Sequence, residues 1–145
     1  MTLNEEERGT IVIYRFQRAK ETLVEAKGNI EMGFWHAAAN RLYYACYYAV
    51  SALLINNGYT ARTHNGVFSL FGQYFVTTEI ISKEQNKLYR NLFNLRQGGD
   101  YQDWVIIEEN DIIPLLEPTE KFIVEIEKLI GKRIEIHKLQ QDERN

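Results

Sequence analysis

At 145 residues with a formal net charge of -3, the chain is the size of one domain and lacks the positive charge of a protein that coats nucleic acid without regard to sequence. Its composition, 45% hydrophobic and 26% charged, is that of a folded globular protein and excludes a disordered one. Cys46 is the single cysteine, which excludes an intrachain disulfide and a cysteine cluster of the zinc-binding kind.

The opening stretch, Met1 to Glu7, is acidic where a secretory signal is basic and then apolar. No later apolar run reaches the ~18 residues of a membrane span, so a cytoplasmic protein without membrane contact is expected. The first helix is predicted from about Ile11 to Ile30, with Phe16, Ala19, Leu23, Ala26 and Ile30 on one stripe. Gly28 and Gly33 bracket its end. A second helix, from about Phe34 to Asn57, carries a stripe of small residues through Ala38, Leu42, Ala45, Ala49 and Ala52 that lets another backbone approach closely. Asn56-Asn57-Gly58 tolerates the left-handed conformation that ends it.

A polar loop, 59–63, leads to a short helix containing Val67, Leu70, Phe71, Tyr74 and Phe75, which Thr63 or Asn65 can cap. Ser82 with Gln85 reads as a capping box that opens a further long helix, with Leu88, Leu92 and Leu95 as its apolar stripe. The segment 102–107, with Trp104, is expected to be a loop. Ile112, Leu116, Ile123, Ile126 and Ile130 have helical spacing, but Pro114 and Pro118 fall inside it, so this helix is expected to start late or to bend. Gly131 interrupts the pattern, and 138–145 is expected to fray. The fold class is therefore all-α: one domain over 1–145, with its core at about 11–130, built as an antiparallel up-and-down bundle of four long helices and one short one.

Three groups of residues can carry chemistry. Arg41, Tyr44 and Tyr48 are spaced by three and four on the second helix and form a polar-tipped stripe; the alternative is that the tyrosines are core or interface residues. His64, in Thr63-His64-Asn65-Gly66, stands where a helix N-terminus favours an anion, and its imidazole can move a proton near neutrality. Arg96 and Asp100 are four residues apart and share one helical face, followed by Tyr101. A planar guanidinium fits a phosphate, and a carboxylate beside it can hold it or accept a proton. The same pair also reads as an ion pair at a helix C-terminus, with Gly98-Gly99 where the chain turns away. Neither a phosphate-cradling Gly-rich loop, a Ser/His/Asp elbow nor a His-Glu-x-x-His pattern occurs, so no cofactor and no metal is expected.

In order along the chain, Asn40-Arg-x-Tyr-Tyr-Ala, Thr63-His-x-Gly and Leu95-Arg-x-x-x-Asp-Tyr101 resemble the HEPN superfamily, in its branch of small stand-alone proteins, over about residues 11–130. The resemblance implies a homodimeric helical bundle that acts with a minimal nucleotidyltransferase in a toxin-antitoxin-like pair and binds RNA or a nucleotide. Many such proteins are metal-independent ribonucleases that use an Arg and, a few residues on, a His. Arg96 matches that Arg, whereas the His is replaced: Asp100 stands near its place, and His64 is the nearest substitute. Arg41, Tyr44, Tyr48, Arg62 and Tyr101 are then expected to contact nucleotide. In some pairs a Tyr after the motif receives a nucleotide, and Tyr101 is the closest match. Three readings result: a nucleotide- or RNA-binding partner of a nucleotidyltransferase, an active ribonuclease toxin working through 2'-hydroxyl attack, and a structural dimer module without ligand.

Overall fold

In the computed structural model of the chain the described residues are 3–101 and 105–144, without the side chains of Asp100, Tyr101 and Lys138. Six helices follow one another: α1 (Glu5–Glu31), α2 (Trp35–Asn56), α3 (His64–Phe71), α4 (Lys83–Tyr101), α5 (Glu109–Ile130) and α6 (Lys132–Arg144). A π-helical turn, Gly72–Val76, extends α3.

The first helix begins six residues before the expected start at Ile11 because its start is decided by capping. Asn4 accepts a hydrogen bond from the Glu7 amide at 2.8 Å, and Glu5, Glu6 and Glu7 put negative charge on the first turn. The acidic stretch thus belongs to the helix. At the far end of α2, Arg8 donates to the Ile55 carbonyl at 2.7 Å, beside the bond that carbonyl takes from the Gly58 amide, and so ties α1 to the end of α2. Gly58, at φ 86°, turns the chain away.

Polar contacts set the directions of the helices. Arg15 bonds Ser51 and Arg41 bonds Glu25, so α1 and α2 run antiparallel. Lys20 pairs with Glu127 and Lys27 with Glu120, which makes α5 antiparallel to α1. Tyr43 packs on Tyr89 while His36, at the start of α2, reaches Ile107 just past α4, so α4 also runs against α2. The result is an up-and-down bundle of four long helices with α3 as the short one.

Within it α2 is the central element, in contact with α1, α3, α4 and α5. Its small-residue stripe, Ala38, Leu42, Ala45, Ala49 and Ala52, is fully buried, facing helices of the same chain. The stripe is spent inside the monomer and offers no surface to a second copy. Cys46 is buried beside it, where loss of hydration pushes its thiol well above the usual range.

Three expectations are corrected. The last long helix does not start late: α5 opens at Glu109, ahead of both prolines, with Glu108 and Asp111 in a capping box. Pro114 and Pro118 are four apart and both exposed, so water solvates the carbonyls that lose an amide partner. The tail does not fray from residue 138, because α6 continues to Arg144 as a further helix. Ile134 is buried in the core, and Arg133 ties α6 to Asn56 at 2.6 Å and to Glu5. Finally, Gly98 and Gly99 are not a turn but lie within α4.

Gly99 permits a close approach there. A Cβ at this position would sit 2.6 Å from Cδ1 of Ile107 and 3.2 Å from Nδ1 of His36, which is how the chain after α4 folds back on the start of α2. Gly28, exposed within α1, has nothing within 4 Å of such a Cβ. Gly28→Ala is therefore expected to stabilise by roughly 0.8–1 kcal/mol through helix propensity. Gly99→Ala is expected to be less favourable than Gly28→Ala, since the end of the Ile107 side chain and the His36 ring must shift to admit the methyl group, at an overpacking cost of up to about 1–3 kcal/mol. Urea denaturation of the two variants checks this order.

Candidate functional site

The site forms where the middle of α2 meets the start of α3 and the end of α4. Thr63 caps α3 by accepting from the Gly66 amide at 2.9 Å, which places His64 on the first turn. The Val67 amide bonds the Thr63 carbonyl. One of the amides expected to attract an anion, that of Gly66, is thus already taken, while the Val67 bond is the first regular bond of the helix.

His64 is held by tyrosines. Its Nδ1 lies 2.8 Å from the hydroxyl of Tyr43, its ring stacks on Tyr47 with centroids 4.2 Å apart, and Tyr44 meets it edge-on at 5.7 Å. Tyr43 is only 1% exposed, and burial raises its hydroxyl far above the ordinary range, so it stays protonated. The tautomer sets the role of Nε2, the nitrogen that faces a ligand: if Tyr43 donates to Nδ1, Nε2 carries the proton and donates, and if Nδ1–H donates to the Tyr43 oxygen, the Nε2 lone pair is open to a proton.

Arg96 comes from α4, 52 residues along the chain from Tyr44, and its Nη2 donates to the Tyr44 hydroxyl at 3.1 Å. The guanidinium carbon lies 5.2 Å from the Tyr44 ring centre and 5.6 Å from that of Tyr43. Two aromatic faces and a hydroxyl therefore fix its position, and its charge stays attached to the cleft wall. Tyr44, Thr63, His64, Asn65, Phe93, Arg96 and Gln97 line one open cleft of about 650 Å³. No Asp or Glu lines it among the described residues, although the chain has 20. Such a lining suits a negatively charged group that also offers a ring to stack.

Burial, and then the neighbouring Arg96 charge, lowers the His64 pKa below 6.5. Neutral at pH 7, the ring is able to take up a proton. As the folded value lies below the unfolded one, acidification protonates the unfolded chain first, and stability falls as pH drops below about 6.5 until the folded value is passed. An NMR titration is expected to place the His64 midpoint below 6.5 and to move it upward in Arg96→Ala.

The sequence-based candidates separate into groups. His64, Tyr44 and Arg96 share the cleft. Arg41 stands 5.3 Å from the Tyr44 ring centre, but its guanidinium is held by Asn40 and Glu25 and it does not line the cleft. Tyr48 lies behind Tyr44 and under Arg18. Arg62 is exposed in the loop before Thr63, outside the lining. The side chains of Asp100 and Tyr101, and all of Trp104, lie outside the described residues. Sequence reasoning missed Tyr43 and Tyr47 as the supports of His64, and Phe93 and Gln97 as lining. Tyr43 and Tyr47 are four apart on α2, a second stripe beside the one chosen.

Among the described residues no three His, Cys, Asp or Glu side chains come together to hold a metal ion, and no helix is long and apolar enough to cross a membrane.

The chain resembles known proteins along most of its length. The model of the HEPN domain matches residues 12–129. A UPF0332 protein of Thermotoga maritima is 40% identical over 128 residues, which cover 88% of this chain and 96% of that one. A Methanocaldococcus jannaschii protein named as a candidate toxin is 29% identical over 133 residues, 86% of this chain and 90% of its own. The crystal structure of a Thermus thermophilus protein matches with a TM-score of 0.70 at 15% identity, over 81% of this chain and 97% of that one, a likeness of fold.

Proposed function

The chain belongs to the HEPN domain family, and on that premise we propose that its cleft binds the phosphate and base of an RNA or nucleotide, in a toxin-like homodimer that acts beside a nucleotidyltransferase. One observation carries the binding reading: Arg96 and His64, brought together from separate helices, line one open cleft with the Tyr44 and Phe93 rings. A guanidinium fixed by two tyrosines is pre-organised for a phosphate, and Tyr44 offers a ring to a base. The toxin-like role is supported by relatives named as candidate toxins. The nucleotidyltransferase partner, the second copy and nucleotide transfer to Tyr101 rest on the family resemblance.

A second reading is favoured by the same juxtaposition. The family's His is absent after Arg96, yet the fold supplies His64 beside it. In the tautomer whose Nδ1–H donates to the Tyr43 oxygen, neutral His64 takes the proton of an RNA 2'-hydroxyl on Nε2 as the 2'-oxygen attacks the adjacent phosphorus. The bond from phosphorus to the 5'-oxygen breaks, that oxygen takes a proton from water, and the products are a 2',3'-cyclic phosphate and a 5'-hydroxyl. Arg96 stabilises the charge that builds on the phosphoryl oxygens.

The test separates the two. A labelled 2'-O-methyl oligonucleotide, which lacks the attacking hydroxyl, is titrated with wild type and with Arg96→Ala. Binding that only the wild type retains supports the cleft, and equal binding by both overturns it. Unmodified RNA in EDTA then reports cleavage: cyclic-phosphate ends that vanish in His64→Ala select the ribonuclease reading, and intact RNA at high protein selects binding alone.

A further inference from the structure

The cleft at Arg96 is one half of a longer groove. A second hollow, lined by Asn65, Phe68, Arg90, Phe93 and Asn94, shares Asn65 and Phe93 with it, so the two are continuous between α3 and α4. Along α4, Arg90, Phe93, Asn94 and Gln97 stand at i, i+3, i+4 and i+7 and form one stripe, while Tyr89 and Leu92 face the core. Helix stripes with this spacing are ordinarily apolar when buried or charged when merely solvated. This one alternates arginine, an aromatic ring and side-chain amides.

Arg90 is exposed, and its guanidinium carbon lies 5.0 Å from the ring centre of Phe68 on α3, so the pair spans the groove. None of the salt bridges formed by the described residues involves it. Like the first half, the second has no Asp or Glu in its described lining. Six residues separate Arg90 from Arg96, about 9 Å of helix rise, more than one nucleotide step. The groove thus offers a cation at each end, with Phe93 and the amides of Asn65, Asn94 and Gln97 between.

From this we infer that the α3/α4 groove binds single-stranded RNA across more than one nucleotide, with Arg90 holding a second phosphate and Asn65 and Asn94 bonding the edge of a base stacked on Phe93. Unpaired bases suit it because they expose both a face for an aromatic ring and an edge for an amide. The inference rests on the proposed phosphate site at Arg96 and extends it to a substrate class, a strand rather than a mononucleotide.

Two probes test it: a labelled 2'-O-methyl hexanucleotide by fluorescence anisotropy, and AMP by calorimetry. Arg90→Ala and Asn94→Ala, both exposed substitutions, are compared with wild type and Arg96→Ala after circular dichroism shows that the fold is kept. Arg90→Ala is expected to weaken the hexanucleotide roughly five- to tenfold, leave AMP unchanged and flatten the salt dependence by about 0.7 in log-log slope, the contribution of one phosphate. Asn94→Ala is expected to weaken the hexanucleotide with no change of slope. If Arg90→Ala and Asn94→Ala both bind the hexanucleotide as wild type does while Arg96→Ala loses it, the groove is overturned and the phosphate site stands. If Arg96→Ala binds both probes as wild type does, the phosphate site itself fails and the groove with it.

Discussion

Arg96→Ala is expected to weaken binding of a short single-stranded RNA by about 10- to 100-fold, the effect of losing a charge-assisted hydrogen bond of roughly 1.5–3 kcal/mol. Any RNA cleavage is expected to fall by about 10²–10³, as when one pre-organised donor is removed from a developing oxyanion. The fold should survive, because the residue sits at a half-open cleft and its hydroxyl partner, Tyr44, is only partly buried. Arg96→Lys is the sharper control. It keeps the charge but loses the planar group that lies near the Tyr43 and Tyr44 rings, so it should recover only part of the affinity. Full recovery would mean that charge alone matters and that the aromatic mounting does not. The upward movement of the His64 pKa in Arg96→Ala gives an independent reading, since it needs no RNA. A His64 midpoint that does not move would place the two groups too far apart electrostatically to share one phosphate.

Helices were legible because their signals are local. The capping box at Ser82 and Gln85 and the cap at Thr63 appear as the sequence implies, at 3.1 Å and 2.9 Å from their amides. The helix α6 was not legible: after Gly131 it presents little apolar periodicity, and it is ordered by Arg133 reaching Asn56, 77 residues away. Of the two alternatives the prolines of α5 offered, a late start or a bend, the late start fails for a related reason. The cost of the prolines depends on whether the orphaned carbonyls meet water, and exposure is a property of the bundle rather than of the local sequence. For the site, each half was legible and the junction was not. His64 and Arg96 lie 32 positions apart, and only the packing of α3 and α4 on α2 brings them into one cleft. Of the polar-tipped stripe on α2 only Tyr44 reaches the cleft, because α2 is buried on most of its circumference and Arg41 and Tyr48 are engaged by Glu25 and Arg18 at the α1 side.

That junction depends on the core beneath it, which leads to the largest expected loss of stability. Phe122 on α5 is fully buried and lies 5.9 Å from the ring centre of Phe71 and 6.0 Å from that of Tyr89. Tyr89 in turn stacks on Tyr43 at 6.0 Å, and Tyr43 bonds His64. A chain of aromatic contacts thus runs from the far helix of the bundle to the imidazole. Phe122→Ala should cost about 3–5 kcal/mol, as removal of a buried ring both loses its transfer energy and leaves a cavity that neighbours fill only in part. Against a typical domain stability of about 5–15 kcal/mol this is a large share, and urea denaturation will show it as a lowered midpoint. Phe122→Leu fills more of the space and should lose less. The site should respond as well: with Tyr89 free to sink toward the cavity, Tyr43 loses a stacking partner and His64 gains access to water. Because burial is the main cause of its low pKa, the His64 midpoint should rise in Phe122→Ala under conditions where the variant is still folded. A large loss of stability with an unchanged His64 midpoint would mean that Tyr43 is positioned by α2 alone and that the aromatic chain carries no load between core and cleft.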